Sequence, residues 1–334
     1  KTVFQLSDFN SVQEIVPEKK PMRALWIVAI DIGFSSVKGF SPNKRFCFPS
    51  YIRKIEHDLS VPDVNDIYYR DQTGTYLVGT NAQDLVRSDD TNDTDSFFDR
   101  SRYYSRDFSI ILRTALAIGL MDNEVRRRHP TIKPYVQTGL PAAYVKEDAP
   151  KIRASFMEEC KYEVRIGNGN WVKFENNLKE KDIGVMSQPA GTLSSIMIGD
   201  EGNYLPNAKE FTTKNVLIAD IGFGTFDPYG IINRRDVLGE SISGMGMKKI
   251  LETASEAIYR DYRMDIRIPQ MRKYMKEGHF RYFDVKKRSG VEVKLDSYIN
   301  DACQKVAEEA IEKLYEIAGY FKDYNICLLY TSPS

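Results

Sequence analysis

The chain has 334 residues, 42% of them hydrophobic, and its 47 basic and 47 acidic side chains give a formal net charge of zero. That balance excludes a protein whose whole surface grips nucleic acid, and the length suits two domains or one large one. No run reaches the ~20 apolar residues of a membrane helix; Cys47, Cys160, Cys303 and Cys327 form no CxxC and read as free thiols of a reducing cytoplasm, and His57, His129 and His279 show no metal-ligand spacing.

Residues 1–21 are either an extension or a read-through upstream of a start at Met22. Residues 27–40, "IVAIDIGFSSVKGF", read as an apolar strand that ends in an acid, Asp31, and enters a turn with Gly33, Ser35, Ser36 and Lys38. An ordinary polar hairpin has this composition. So has a phosphate cradle: glycine admits the phosphate to the backbone, the serines offer donors, the lysine a point charge, and the acid faces Mg²⁺ through water. No Walker loop, GxxxxGK[ST], occurs.

Next, 45–55 reads as a continued strand and 67–79 as a hairpin turning at Gln72–Gly74. The polar stretch 86–103 reads as a loop. Over 104–128, Phe108, Ile111, Leu112, Ala115 and Ile118 mark one core-facing helical stripe, with the arginines 126–128 suited to its end. Residues 162–175 are two β-rich runs about an Asn-Gly turn. "DIGVMSQPAGTLSSIMIGD", 182–200, reads as a short strand, a turn at "SQPAG" and a helix from near Gly191, with Gln188 displayed at the corner. An amide there can accept from a water and donate to a phosphate oxygen, or merely cap the loop before Pro189.

The first pattern then returns. Residues 216–230, "VLIADIGFGTFDPYG", again end a strand in an acid, Asp220, followed by Gly222, Gly224, Thr225 and a second acid, Asp227. Near copies are hard to attribute to turn chemistry alone and suit a duplicated hairpin able to clamp a polyphosphate, with Asp227 either part of it or simply paired across its hairpin. Residues 296–322 form a long helix with Ile299, Ala302, Val306, Ala310, Leu314 and Ile317 on its apolar side.

In order and spacing these stretches resemble the actin, Hsp70 and sugar-kinase superfamily, and within it the bacterial actin-like proteins of the ParM/StbA type. "VAIDIGFSSVKGF" resembles the first phosphate loop and "LIADIGFGTFDPYGI" the second. "VQTGLPAAYVK" (136–146) resembles a strand and turn of the family, and "VMSQPAGTL" (185–193) its water-positioning segment. "SISGMGMKKILETA" (241–254) resembles the glycine turn beside the nucleotide.

The resemblance implies an α/β fold of two lobes, each an RNase H-like core with a small inserted subdomain, and ATP with Mg²⁺ in the cleft. Lobe I is expected over 22–147 with an insertion near 48–103, and lobe II over 148–326 with an insertion near 255–295. Asp31 and Asp220 would hold Mg²⁺ through water; Gly33, Ser35, Ser36, Lys38, Gly222, Gly224 and Thr225 would hold phosphates. Gln188 would align the lytic water, and Gly244 and Gly246 would lie by the adenosine. The tail 327–334, "CLLYTSPS", reads as translated sequencing adaptor after a gene truncated near Ile326, before the family's adenine-binding glycines.

The implied function is a cytoplasmic ATPase that polymerises on itself into cytoskeletal filaments and segregates plasmid DNA. It would do so through a DNA-binding adaptor, without touching nucleic acid or membrane. A sugar-kinase-type phosphotransferase needs a carboxylate base at a hydroxyl substrate. An Hsp70-like chaperone needs consecutive glycines where Phe223 stands, and an inactive nucleotide fold would not need Asp31, Lys38, Gln188 and Asp220 together.

Overall fold

The computed structural model describes residues 11–16, 25–59, 61, 63–85, 100–121, 132–199 and 202–331. The chain divides into two compact units, with the boundary between Gln188 and Pro189. The sequence reading puts the lobe boundary after Glu147. Strand Ile183–Ser187 pairs in parallel with Lys133–Leu140, and this ladder ties 148–188 into the first unit.

The first unit is built on a six-stranded sheet. Its order is Val12–Ile15, Lys44–Pro49, Ser36–Ser41, Leu25–Ile32, Lys133–Leu140, Ile183–Ser187. Leu25–Ile32 alternates strictly, with Trp26, Val28, Ile30 and Ile32 buried, so one face is apolar from end to end. Val12–Ile15 was not foreseen as structure; it pairs antiparallel with Lys44–Cys47 and forms the sheet's edge.

Helix Arg106–Leu120 covers the sheet. Ser105 caps it, its Oγ accepting from the Phe108 N–H at 3.1 Å. The single stripe expected from the sequence is too narrow: Ile110, Arg113, Leu116 and Ala117 are buried as well. The helix packs against strands of both sheets of its unit, so most of its circumference is core. Gly119 is needed for the approach, since a Cβ there would lie 2.4 Å from Val28 Cγ1, and the Trp26 indole donates to its carbonyl at 2.9 Å. Truncating the fully buried Phe108 to alanine would cost roughly 3–5 kcal/mol.

A second, five-stranded antiparallel sheet has the order Val172–Asn176, Cys160–Ile166, Ile67–Asp71, Gly74–Val78, Ile52–Ile55. Two of its strands come from 160–176. The strand read as continuous over 45–55 breaks at Ser50–Tyr51 and serves both sheets. Of the stretch read as a loop, 86–99 lies outside the described residues, as do the arginines 126–128 and His129; Arg100–Tyr104 is a 3₁₀ turn.

The second unit holds the sheet Arg235–Gly239, Thr225–Ile232, Val216–Ile221, Ile326–Thr331, with Ile242–Ser243 added on Thr225–Ile232. Ile326–Thr331 lies largely in the tail read as foreign to the fold, yet it pairs in parallel with Val216–Ile221. A backbone ladder needs only an extended apolar run, and "ICLLYT" is one. Helices Met247–Tyr262, Ile268–Glu277 and Asp296–Ile317 and the hairpin His279–Asp284/Ser289–Lys294 complete the unit. The last helix buries Ala302, Val306, Ala310 and Leu314 as expected but stops five residues short of 322. Gly319 (φ 59°) and Tyr320 (φ 57°) adopt left-handed backbone there, which ends an α-helix.

Candidate functional site

Two hairpins, one per unit, share a backbone plan. In the first, the Gly33 N–H donates to the Ser36 carbonyl at 3.0 Å, and the returning strand sets Lys38 opposite Asp31. In the second, the Gly222 N–H donates to the Thr225 carbonyl at 2.9 Å, and the returning strand sets Asp227 opposite Asp220. The turns are too tight for ordinary side chains. A Cβ on Gly33 would lie 2.8 Å from the Ser36 carbonyl oxygen, and one on Gly222 3.2 Å from that of Thr225. The repeat read in the sequence is therefore a repeat in register and hydrogen bonding.

Around the first turn, Ser35 and Ser36 are buried. Ser50, at the break between the two sheets, clamps the turn twice: its N–H donates to the Ser35 carbonyl at 2.9 Å and its Oγ to the Gly33 carbonyl at 3.0 Å. Gln188 reaches the same turn, its Nε2 donating to Asp31 Oδ1 at 3.2 Å. Gln188 is not on a loop: helix Gln188–Met197 follows directly on strand Ile183–Ser187. Pro189 then sits in the first turn, where its missing N–H has no partner to lose. Gly139 makes room for the amide, because a Cβ there would lie 3.1 Å from Gln188 Cγ. Ser50 and Gly139 escape a sequence reading because each acts on residues distant in the chain; the only signal was Gly139's place inside "TGLP".

The second turn is fastened to a helix. Met247 N–H donates to the Gly222 carbonyl at 3.1 Å and Lys248 N–H to that of Phe223 at 2.8 Å, so the first turn of helix Met247–Tyr262 seats on the hairpin. Gly244, at φ 77°, donates to the Gly224 carbonyl at 3.3 Å. A Cβ on Gly246 would lie 2.5 Å from the Phe223 carbonyl oxygen and 2.6 Å from that of Gly222. The structure thus brings Gly244 and Gly246 onto the second turn. Asp227 is buried and accepts from Thr225 Oγ1 at 2.6 Å and from Ser241 Oγ. Burial pushes its carboxyl up, and the two hydroxyl donors oppose that. Thr225 has committed its hydroxyl proton to Asp227, so toward a phosphate it can offer only its N–H, while its Oγ lone pairs suit a cation or its water.

Each turn, taken by itself, has the chemistry of a magnesium-phosphate site. The glycine turns leave the space that a Cβ would fill, and Asp31 and Asp220 are hard oxygen donors of the kind Mg²⁺ takes with most of its waters retained. Among the described residues no group of three or more His, Cys, Asp and Glu forms a direct metal cage. None of the helices among them is long and apolar enough to cross a membrane, which leaves β-barrels unaddressed.

An acid-tipped hairpin repeated in two α/β units belongs to the actin-like fold, and the chain has that fold. Residues 29–191 match the family described as actin like proteins N terminal domain. A non-polymerisable quadruple mutant of pCBH ParM superposes with a TM-score of 0.71 at 20% identity, covering 92% of this chain and 89% of that one. A 15-stranded ParM filament from Clostridium botulinum gives 0.70 at 18% identity, with the same coverages of 92% and 89%. The archaeal actin homolog Ta0583, in complex with ADP, gives 0.61 at 11% identity, covering 92% and 87%. No curated protein sequence matches the chain.

Proposed function

We propose that this chain is an actin-like ATPase that binds ATP with Mg²⁺ through its two acid-tipped turns and polymerises on itself into filaments. The hydrogen bond from Gln188 to Asp31 carries the reading. Nε2 donates to the carboxylate, and an amide oxygen is by its chemistry an acceptor for a water. An amide is no base at neutral pH, so Gln188 acts by placing that water for in-line attack. Ser35, Ser36, Lys38 and the glycine turns hold phosphate oxygens, the N–H groups of Gly33 and Gly222 themselves serving to close the turns. Gly244 and Gly246, packed on or beside the second turn, border the nucleoside. When bound, Mg²⁺ offsets charge on the phosphates, and Asp31 and Asp220 orient its waters.

Similarity to a ParM filament supports self-assembly, and similarity to an ADP complex supports nucleotide binding. By the same likeness the cellular task is plasmid DNA segregation in the cytoplasm, through a DNA-binding adaptor. Calorimetry with Mg-ATP tests the site: Asp31→Ala and Lys38→Ala should each weaken binding roughly tenfold or more, the value of a charge-assisted contact. Unchanged affinity in both would reduce the first turn to a hairpin. ATP-dependent light scattering and sedimentation test assembly. A chain that stays monomeric with ATP at high concentration while phosphorylating a small alcohol is a sugar-kinase-type phosphotransferase instead.

A further inference from the structure

Beneath the first turn lies a cation that no reading of the loop motifs includes. Arg102, in the 3₁₀ turn Arg100–Tyr104, is buried, and its guanidinium donates to the Ile32 carbonyl at 2.8 Å, one residue beyond Asp31. The same guanidinium lies 4.2 Å from the ring centroid of Phe34, the residue after Gly33, with the Tyr103 and Phe108 rings at 5.5 and 5.6 Å. Its own backbone is anchored. Ser105, the cap of helix Arg106–Leu120, donates both its N–H and its Oγ to the Arg102 carbonyl, at 2.8 and 2.7 Å. Ser155, on helix Val145–Met157, donates to the Tyr103 carbonyl at 3.0 Å. The Arg102 side chain thus reaches the acid-tipped turn from a backbone that Ser105 and Ser155 hold to two core helices.

We infer that Arg102 is a positioning residue of the phosphate site: it fixes the backbone and the Phe34 ring on either side of Gly33 and places a buried positive charge under the anion. This rests on reading the turn as a phosphate cradle. Holding the turn before ligand arrives lowers the ordering cost of binding. A desolvated cation beside the turn also raises the local potential felt by phosphate. Burial pulls the guanidinium's pKa down, while Tyr103, Asp31 and Asp148 favour its charged form; an arginine stays charged in either case. Lysine would keep the charge but neither the flat stack on Phe34 nor the directed fork.

The test compares wild type, Arg102→Lys and Arg102→Met by calorimetry with Mg-ATP, each beside a thermal melt. Affinity should fall in the order wild type, Arg102→Lys, Arg102→Met, with a loss of about tenfold for the methionine and a smaller one for the lysine. A scaffold role alone would lower both melting midpoints and leave the affinity of folded protein untouched. Either variant melting cooperatively and binding as wild type overturns the inference. If Arg102→Met does not fold, Arg102→Lys decides alone: a severalfold loss supports the role and an unchanged Kd ends it. A wild type that binds no Mg-ATP removes the phosphate reading itself, and this inference with it.

Discussion

Gln188 Nε2 lies 3.2 Å from Asp31 Oδ1, so two residues 157 positions apart share one hydrogen bond at the end of the first unit's central strand. The bond orients the amide. Gln188→Ala should slow single-turnover phosphate release by roughly ten- to a hundredfold, on the order expected for lost water placement, while ATP affinity stays within about twofold because the proposed phosphate contacts are the turns and Lys38. If the chain forms filaments, the variant should still assemble with ATP and disassemble more slowly. Asp220→Ala should lose both binding and turnover. Wild-type phosphate release from Gln188→Ala would leave the residue only as the opening of its helix.

Gly139 offers a gentler perturbation of the same geometry. Its missing side chain is what lets Gln188 Cγ sit where it does, at 3.1 Å from the place a Cβ would take. In Gly139→Ala the methyl should shift the amide by tenths of an ångström and cut turnover severalfold, with little change in ATP affinity, since a small misplacement is costly to in-line attack. Equal losses in affinity and turnover would mean that the methyl disturbs the turn rather than the amide.

On the second turn the sensitive position is Gly246. A methyl there would meet two backbone carbonyl oxygens, at 2.5 and 2.6 Å, with no flexible group to yield. Gly246→Ala should push helix Met247–Tyr262 off the hairpin and cost about 2 kcal/mol or more in a urea melt. Gly244→Ala should cost about 1 kcal/mol through its left-handed backbone alone, having no atom in its way. A Gly246 variant as stable as Gly244→Ala would contradict the packing.

Asp227 gives a pH dependence with a definite sign. Burial raises its carboxyl above the ordinary value despite two hydroxyl donors. The native chain then holds that proton more tightly than the unfolded chain, whose aspartates titrate near about 3.9. From there up to the raised native value, stability falls as pH rises, and the deficit persists at neutral pH. Asp227→Asn keeps a polar partner for Thr225 and Ser241 and removes the titration. Its urea midpoint, measured across the acid range, should decline less with rising pH than that of wild type. A steeper decline would reverse the assignment.

Much of this site was legible because it is local. The strand, acid, glycine and returning strand lie within about a dozen residues, and their duplication shows in the letters and again in the register pairs Asp31–Lys38 and Asp220–Asp227. What supports the site was not legible. Arg102, Ser50 and Gly139 come from other elements and carry no local pattern. Gln188 was found at its corner, but proline beside it suggested a turn where the chain starts a helix. Val12–Ile15 and Ile326–Thr331 were set aside from the fold although both join ladders, since an edge position asks little of a sequence beyond extension.

The two hairpins differ at one register position, and the difference changes what each can attract. Opposite Asp31 stands a lysine, so the facing pair is formally neutral; opposite Asp220 stands Asp227, so an ionised pair there would carry two negative charges. Copies of one structural unit have thus become electrically unlike. The first carries no surplus charge in its facing pair. The second favours a positive partner, and burial, independently of the facing acid, raises the affinity of Asp227 for its proton. Exchanging Lys38 and Asp227 between the hairpins would preserve composition and register while inverting that polarity, which makes charge, rather than shape, the property by which the repeat has specialised.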